Sequence, residues 1–411
     1  MENNLMPSLR FPIYKQDKWL NYRLDELVKK KISYGIVQAG KHVPDGMPYI
    51  KSQDLNSELK VEALQRTSKE IAKKYERSEV KPGDIVFSLR GNIGLTKIVP
   101  ESIKVANLTQ GTARLSIDNN NSNVFVHFAL QNRKCLKRII AVSKGSTFQE
   151  ISLFDLRKVK LNLPSLPEQT KIANFLTAVD KRINLLQKKK TELEQYKKGI
   201  MQKLISQAIR FKDDDGNDFP DWEKKKLAEV LFEHKLKNKG NKFNEVFSVS
   251  KEKGVINQIE HLGRSYSADS IEHYKLIEPN DITYTKSPTS DFPYGIIKQN
   301  QTGRTGVLSP LYGVFRPQTP WLGTIIHEYF LSWVNTFNYL NPIVHKGAKN
   351  TLNINNDVFL NGAKLLLPID IREQKKIANF FLSIDKSINK LGNQIEESKL
   401  FKQGLLQKMF V

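Results

Sequence analysis

Four short stretches combine lysine or arginine with glycine, proline and small hydroxyl or amide side chains. They are Ser88-Leu89-Arg90-Gly91-Asn92, Lys144-Gly145-Ser146-Thr147-Phe148-Gln149, Thr285-Lys286-Ser287-Pro288-Thr289-Ser290 and Lys346-Gly347-Ala348-Lys349-Asn350-Thr351. Small residues let a backbone approach phosphates, while long cationic and amide side chains reach the edges of bases in a groove. The second and fourth stretches stand 202 residues apart, in equivalent places of two halves described below. The candidate nucleic-acid contacts are Arg90, Asn92, Lys144, Ser146, Thr147, Lys286, Ser287, Lys346, Lys349 and Asn350. The competing reading of each is a solvated surface turn.

Catalytic patterns are missing. The chain has no G-x-x-x-x-G-K-[ST] phosphate loop and no G-x-G-x-x-G after a strand. Asp291-Phe292-Pro293-Tyr294 departs at its second position from the Pro-Pro motif of amino-methyltransferases and reads as a turn. Asp221 and Glu223 beside Lys224 have no strand to aim two carboxylates at a metal. The run Asp213–Asn217 lacks the closing glutamate of a calcium loop, and the seven histidines lie singly. One cysteine, Cys135, allows neither an internal disulfide nor a Cys-rich zinc site, and within a basic helix-like run it reads as incidental. No metal or cofactor is expected on this chain, which reads as a binding or scaffolding component.

The 411 residues carry 65 Lys+Arg against 43 Asp+Glu, a net charge of +22. At roughly 100–200 residues per domain, that length suggests two to four domains. A hydrophobic content of 39% supports ordinary globular cores. The charge points to a polyanionic partner, nucleic acid ahead of an anionic membrane. The longest charge-free stretch, 329–344, holds three Asn and a Pro, whereas a membrane span needs about 20 apolar residues. The N-terminus shows neither a basic nor an apolar signal region. A soluble protein of a reducing cytoplasm is expected.

The elements that position the loops come in duplicate. Residues 168–205 match 373–410 without a gap at 17 of 38 positions, beginning Glu168-Gln169 and Glu373-Gln374. Weaker echoes include Trp19 with Trp222, Asp84-Ile85 with Asp281-Ile282 and Leu163-Pro164 with Leu367-Pro368. The chain is therefore two copies of one unit, each a divergent globular part followed by a well-matched segment. Both matched segments predict long helices, with an acid in the first turn. Their heptad seams contain Ile172, Val179, Ile183 and Leu186 in the first copy and Ile377, Ile384, Ile388 and Leu391 in the second. A period of 3.5 sustained this long predicts a coiled coil, most simply of one helix against the other. Lysines at core d positions, among them Lys190, Lys197 and Lys402, predict a break in the seam or a third partner packed there. The helices carry +10 of the +22, on faces that ordinary coiled-coil flanks would also show.

The globular parts mix short strands, such as 84–89, 113–117, 281–285 and 294–297, with helices over 59–74, 124–141 and 324–337. The predicted fold class is α+β: two globular mixed α/β domains separated by two long coiled-coil helices, as an internal repeat. The boundaries fall at 1–163, 164–210, 211–367 and 368–411.

The doubled Leu-Pro…Glu-Gln-x-x-Ile-Ala signature resembles the conserved regions of type I restriction-modification specificity subunits. Asp218-Phe219-Pro220-Asp221-Trp222 and Ser309-Pro310-Leu311-Tyr312 are also similar to motifs of that family. The resemblance covers essentially the whole chain. It implies a non-catalytic subunit whose two target-recognition domains each read one half of an asymmetric split site in double-stranded DNA. The helices would be antiparallel, and would fix the unread spacer and dock two modification (methyltransferase) subunits. Those would use S-adenosylmethionine to methylate adenine N6; restriction subunits would add ATP- and Mg-dependent translocation and cleavage. The setting implied is the bacterial cytoplasm. A helix of about 40 residues is about 60 Å long, which limits the spacing to about 17 base pairs. Deleting residues 179–185 and 384–390 together is expected to change the spacer and leave both half-sites. The alternative is a free-standing structural or regulatory DNA-binding coiled-coil protein.

Overall fold

The computed structural model describes residues 6–145, 149–267, 270–289, 291–346 and 352–411. The chain divides into two compact units, Met1–Gln187 with Asn393–Val411, and Lys188–Gly392. Two helices dominate it, Leu166–Ile205 of 40 residues and Ile371–Met409 of 39. Each unit holds the first half of one long helix and the second half of the other.

Within each unit the helices run antiparallel. In unit 1, Lys402 Nζ lies 2.7 Å from Asp180 Oδ1; in unit 2, Lys197 Nζ lies 2.6 Å from Asp385 Oδ1. These are the same two residues of the repeat, with the helices exchanging roles. The seam lysines thus find ion pairs rather than a break: Lys197 and Lys402 reach across, and Lys190 turns to Glu194 on its own helix at 2.6 Å. Ile172, Ile183, Ile377, Ile384 and Leu391 are buried, and Val179, Leu186 and Ile388 half-buried. Ile172 shares the unit 1 core with Leu405, Met409 and Phe410, and Ile377 shares the unit 2 core with Met201 and Leu204. Each helix pair is therefore rooted in a domain core.

The Glu-Gln signature is the joint that fastens a long helix to its domain. Glu168, fully buried, takes a two-pronged ion pair from Arg10 at 2.6 Å; Glu373, also fully buried, takes Arg210 at 3.0 Å. Buried carboxylates require such partners, because desolvation costs more than a single weak contact returns. Gln169 accepts from the Ser122 N–H at 2.9 Å and donates to the Pro164 carbonyl at 3.0 Å. Gln374 accepts from the Thr319 hydroxyl at 2.7 Å and donates to the Pro368 carbonyl at 2.9 Å. Ser122 and Thr319 are the N-caps of the domain helices Asn123–Gln131 and Pro320–Phe330. The side chains best matched between the copies thus bind the joint.

Each domain holds its own sheet, and the two sheets are alike. In unit 1, Ile85–Ser88 lies between Thr96–Ile98 and Thr112–Leu115, all antiparallel. In unit 2, Ile282–Tyr284 lies between Ile297–Gln299 and Gly313–Pro317, and Leu231–Glu233 adds an outer strand. The registers correspond: Val86 faces Lys97 and Arg114, and Thr283 faces Lys298 and Val314. A two-stranded ribbon leads into each long helix, Leu20–Arg23 with Lys160–Leu163 and Glu223–Lys225 with Leu365–Leu367.

Both predicted helices over 124–141 and 324–337 are broken once, at equivalent places. Asn132 accepts from the Lys134 and Cys135 N–H groups, and Ser332 from that of Asn335, so each caps a second helix, Arg133–Ala141 or Trp333–Leu340. A short polar side chain that can hold free N–H groups is worth more at a cap than inside a helix. Of 59–74, only Lys69–Lys74 is α-helical, started by Ser68. The strand expected over 294–297 begins at Ile297 and runs to Gln299.

Candidate nucleic-acid interface

In unit 1 the fold brings two of the singled-out loops together. Gly91, at φ +70°, turns the chain after the strand Ile85–Ser88, and the Ser88 hydroxyl closes on the Arg90 carbonyl at 2.8 Å. Positive φ is cheap only for glycine, so this sharp turn needs one. Arg90 then pairs with Glu150 at 2.9 Å, and Glu150 pairs through its backbone with Lys144 at 2.8 and 2.9 Å. Both side chains of the Arg90–Glu150 pair are more than 40% exposed. A pair in that setting is worth roughly 0–1 kcal/mol, so a phosphate can displace the carboxylate at little cost. Asn92 donates to Asn56 at 2.8 Å. Ser146 and Thr147 lie outside the described residues.

Beside this loop lies a cleft of about 570 Å³. Its walls carry Arg90 and Asn92, together with Lys51, Gln53, Asn56 and Gln110, which composition alone does not single out. The signal for them is tertiary, because three separate turns converge. The side-chain amides of Gln53 and Gln110 carry no hydrogen bond among the described residues.

In unit 2 the corresponding loop follows Tyr284. Lys286 adopts φ +52° and is half-buried; burial and the neighbouring Lys275 hold its ammonium below the usual lysine range. The Ser287 hydroxyl contacts the Thr285 carbonyl at 3.3 Å. Lys346 lies in the ribbon His345–Lys346 with Leu352–Asn353, where Lys346 faces Leu352 as Lys144 faces Glu150 in unit 1. Lys349 and Asn350 lie outside the described residues.

A second set of charged groups sits where each domain meets its helices. Lys197 contacts Glu328 at 2.7 Å as well as Asp385. In unit 1 a ring stands near the corresponding ammonium: Lys402 lies 5.1 Å from the centre of Phe128. Burial raises the Glu328 carboxyl to about 7, against the pull of Lys197. Burial also lowers the Lys298 ammonium to about 8 and the His127 imidazole to about 3, and takes His327 well below its ordinary value. The neutral imidazoles are built into the fold: His127 Nδ1 meets the Thr96 hydroxyl at 2.9 Å, and His327 Nδ1 accepts from the Gln299 N–H at 3.1 Å. Cys135 is buried, and burial raises its thiol to about 11, which keeps it protonated.

Residues 16–195 match the family model of the type I restriction modification DNA specificity domain. Over those residues the chain is similar to the DNA specificity domain of type I restriction-modification specificity subunits. It is 29% identical over 185 residues to the type I restriction enzyme EcoBI specificity subunit of Escherichia coli, covering 42% of this chain and 39% of that protein. It is 25% identical over 236 residues to the MjaVIII specificity subunit of Methanocaldococcus jannaschii, covering 55% of this chain and 51% of that one. The chain thus spans about half the length of these relatives or less. The fold of a solved specificity subunit extends over the whole chain: the S subunit of a type I restriction-modification system from M. genitalium superposes with TM-score 0.61 at 14% identity, covering 99% of both chains. A second solved chain, from work on assembly of a type I system, superposes with TM-score 0.52 at 14% identity, covering 95% of this chain and 97% of that one. Among the described residues, no helix is long and apolar enough to cross a membrane.

Proposed function

We propose that this chain is the DNA sequence-specificity subunit of a type I restriction-modification enzyme. The domains 1–163 and 211–367 each read one half of an asymmetric bipartite target in double-stranded DNA. The helical regions 164–210 and 368–411 set the spacer and dock two modification subunits. The chain itself catalyses nothing. S-adenosylmethionine serves the modification subunits, and ATP with Mg serves the restriction subunits, in the bacterial cytoplasm. The observation that carries this reading is a contrast: the helix joints are the same in both units, whereas the loops at the strand ends differ in chemistry. A scaffold built twice with different tips suits a split, asymmetric site.

The test is the spacer. Deleting residues 179–185 and 384–390 would remove Asp180 and Asp385, the acids of both interhelix ion pairs. The central heptads 186–192 and 391–397 leave those pairs and both joints in place. The variant lacking them, expressed with its methyltransferase, is expected to methylate the same half-sites at an altered spacing. Altered half-sites at unaltered spacing would sink the reading, as would methylation or cleavage of DNA by this chain alone. A free-standing regulatory DNA-binding protein would co-purify with no methyltransferase.

A further inference from the structure

The two units repeat one turn, and its unit 2 copy is the stretch Ser309-Pro310-Leu311-Tyr312. In unit 1 the Thr112 N–H donates to the Thr109 carbonyl at 3.1 Å; in unit 2 the Tyr312 N–H donates to the Ser309 carbonyl at 3.1 Å. Each turn leads into a strand of the same register. Ala113 faces Phe87 in unit 1 as Gly313 faces Tyr284 in unit 2. The turns are therefore equivalent by register as well as by hydrogen bond, with Gln110-Gly111 at one tip and Pro310-Leu311 at the other.

Their backbones are fixed and their tips are not. In unit 1 the Gln110 N–H donates to the Ile36 carbonyl at 2.9 Å, and the Ser52 hydroxyl donates to the Gly111 carbonyl at 2.7 Å. The Gln110 side-chain amide has no partner among the described residues and lines the cleft shared with Arg90 and Lys51. In unit 2 Lys275 Nζ donates to the Tyr312 carbonyl at 2.6 Å, which anchors the end of the turn. At its tip Leu311 is 73% exposed, between the largely buried strands Gly306–Leu308 and Gly313–Pro317. Lys275 lies close enough to Lys286 to add to the depression of its ammonium. Each tip thus offers one uncommitted side chain on a rigid turn with cations beside it. A glutamine amide matches the paired N7 acceptor and N6 donor of adenine, and an apolar side chain matches the C5 methyl of thymine.

Resting on the reading of the units as half-site readers, we propose that these turns are specificity-determining elements, Gln110 reading an adenine in one half-site and Leu311 a thymine methyl in the other. The test selects the full-length chain on a randomised DNA duplex library, beside its Gln110→Glu and Leu311→Ala variants. The wild type is expected to enrich a bipartite sequence. Gln110→Glu should move one position of one half-site from adenine to cytosine, whose N4 amine a carboxylate accepts, by roughly ten-fold. Leu311→Ala should relax one thymine of the other half-site several-fold. In each variant the untouched half-site reports that the chain is folded. Unaltered base preferences in both variants, with the wild type still bipartite, would overturn the assignment alone. Loss of both half-sites in either variant would also overturn it, by showing that the turn supports the fold instead. A wild type that enriches no bipartite sequence would overturn the functional reading itself.

Discussion

Units 1 and 2 agree where they hold the helices and differ where they face outward. Both joints use a buried glutamate, a cap-stitching glutamine and an interhelix lysine–aspartate pair. At the strand ends, unit 1 presents Arg90, Asn92 and Gln110, whereas unit 2 presents Lys286, Ser287 and Leu311. One further difference lies inside: Glu328 contacts Lys197 in unit 2, and Phe128 stands by Lys402 in unit 1. What distinguishes unit 2 is the second acid, because Lys197 also lies near a ring, 6.0 Å from the centre of Phe381.

The largest break in the comparison should come from the joints. Glu168→Ala leaves Arg10 buried without its partner, and about 3–5 kcal/mol of unit 1 stability should be lost. Glu373→Ala should cost less, since the Arg210 side chain is 19% exposed against 5% for Arg10. Hydrogen exchange resolved by peptide separates the two units and checks the order. Next, Lys197→Met leaves Glu328 and Asp385 facing each other and should destabilise unit 2 by about 2–3 kcal/mol. Lys402→Met strands only Asp180, half-exposed, and should cost about 1 kcal/mol; equal losses would show that Glu328 does not distinguish the units.

A third comparison is in pH. Each unit contains a histidine whose folded value is lowered, so its stability is present at neutral pH and lost as pH falls below the unfolded value of about 6.5. Glu328 has a raised folded value of about 7, so its contribution runs the other way, present at low pH and lost as pH rises through about 7. Unit 2 should therefore be less acid-sensitive than unit 1, and Glu328→Gln should narrow the difference, since burial also raises the Asp281 carboxyl in unit 2. Hydrogen exchange compared at about pH 5 and about pH 7 checks both signs. The smallest effect should be that of Glu150→Gln. Its stability change should be roughly 0–1 kcal/mol, but freeing Arg90 should steepen the salt dependence of duplex binding by about one counterion.

Much of this is legible in the chain. The doubled Glu-Gln segments, the 3.5-residue period and the Pro-free runs predict two long helices, and they appear as Leu166–Ile205 and Ile371–Met409. Local periodicity is enough there, because a helix face is set by near neighbours. Composition marks the loops Ser88–Asn92 and Lys144–Gln149, but not that Glu150 joins them. The breaks at Asn132 and Ser332 escape a periodicity argument because the apolar pattern continues across them, and a capping side chain decides the boundary.

Amino-acid order alone dictates two units, two coiled-coil helices, a basic surface and the absence of familiar catalytic motifs. Folding in three dimensions sets which lysine meets which acid, that Gln169 and Gln374 stitch helix to domain, and which turns converge on the unit 1 cleft. The reason is physical. Secondary structure follows from contacts a few residues apart, whereas Lys197 with Glu328 and Asp385 joins positions 131 and 188 residues apart in sequence. Only the folded chain brings their charges within reach.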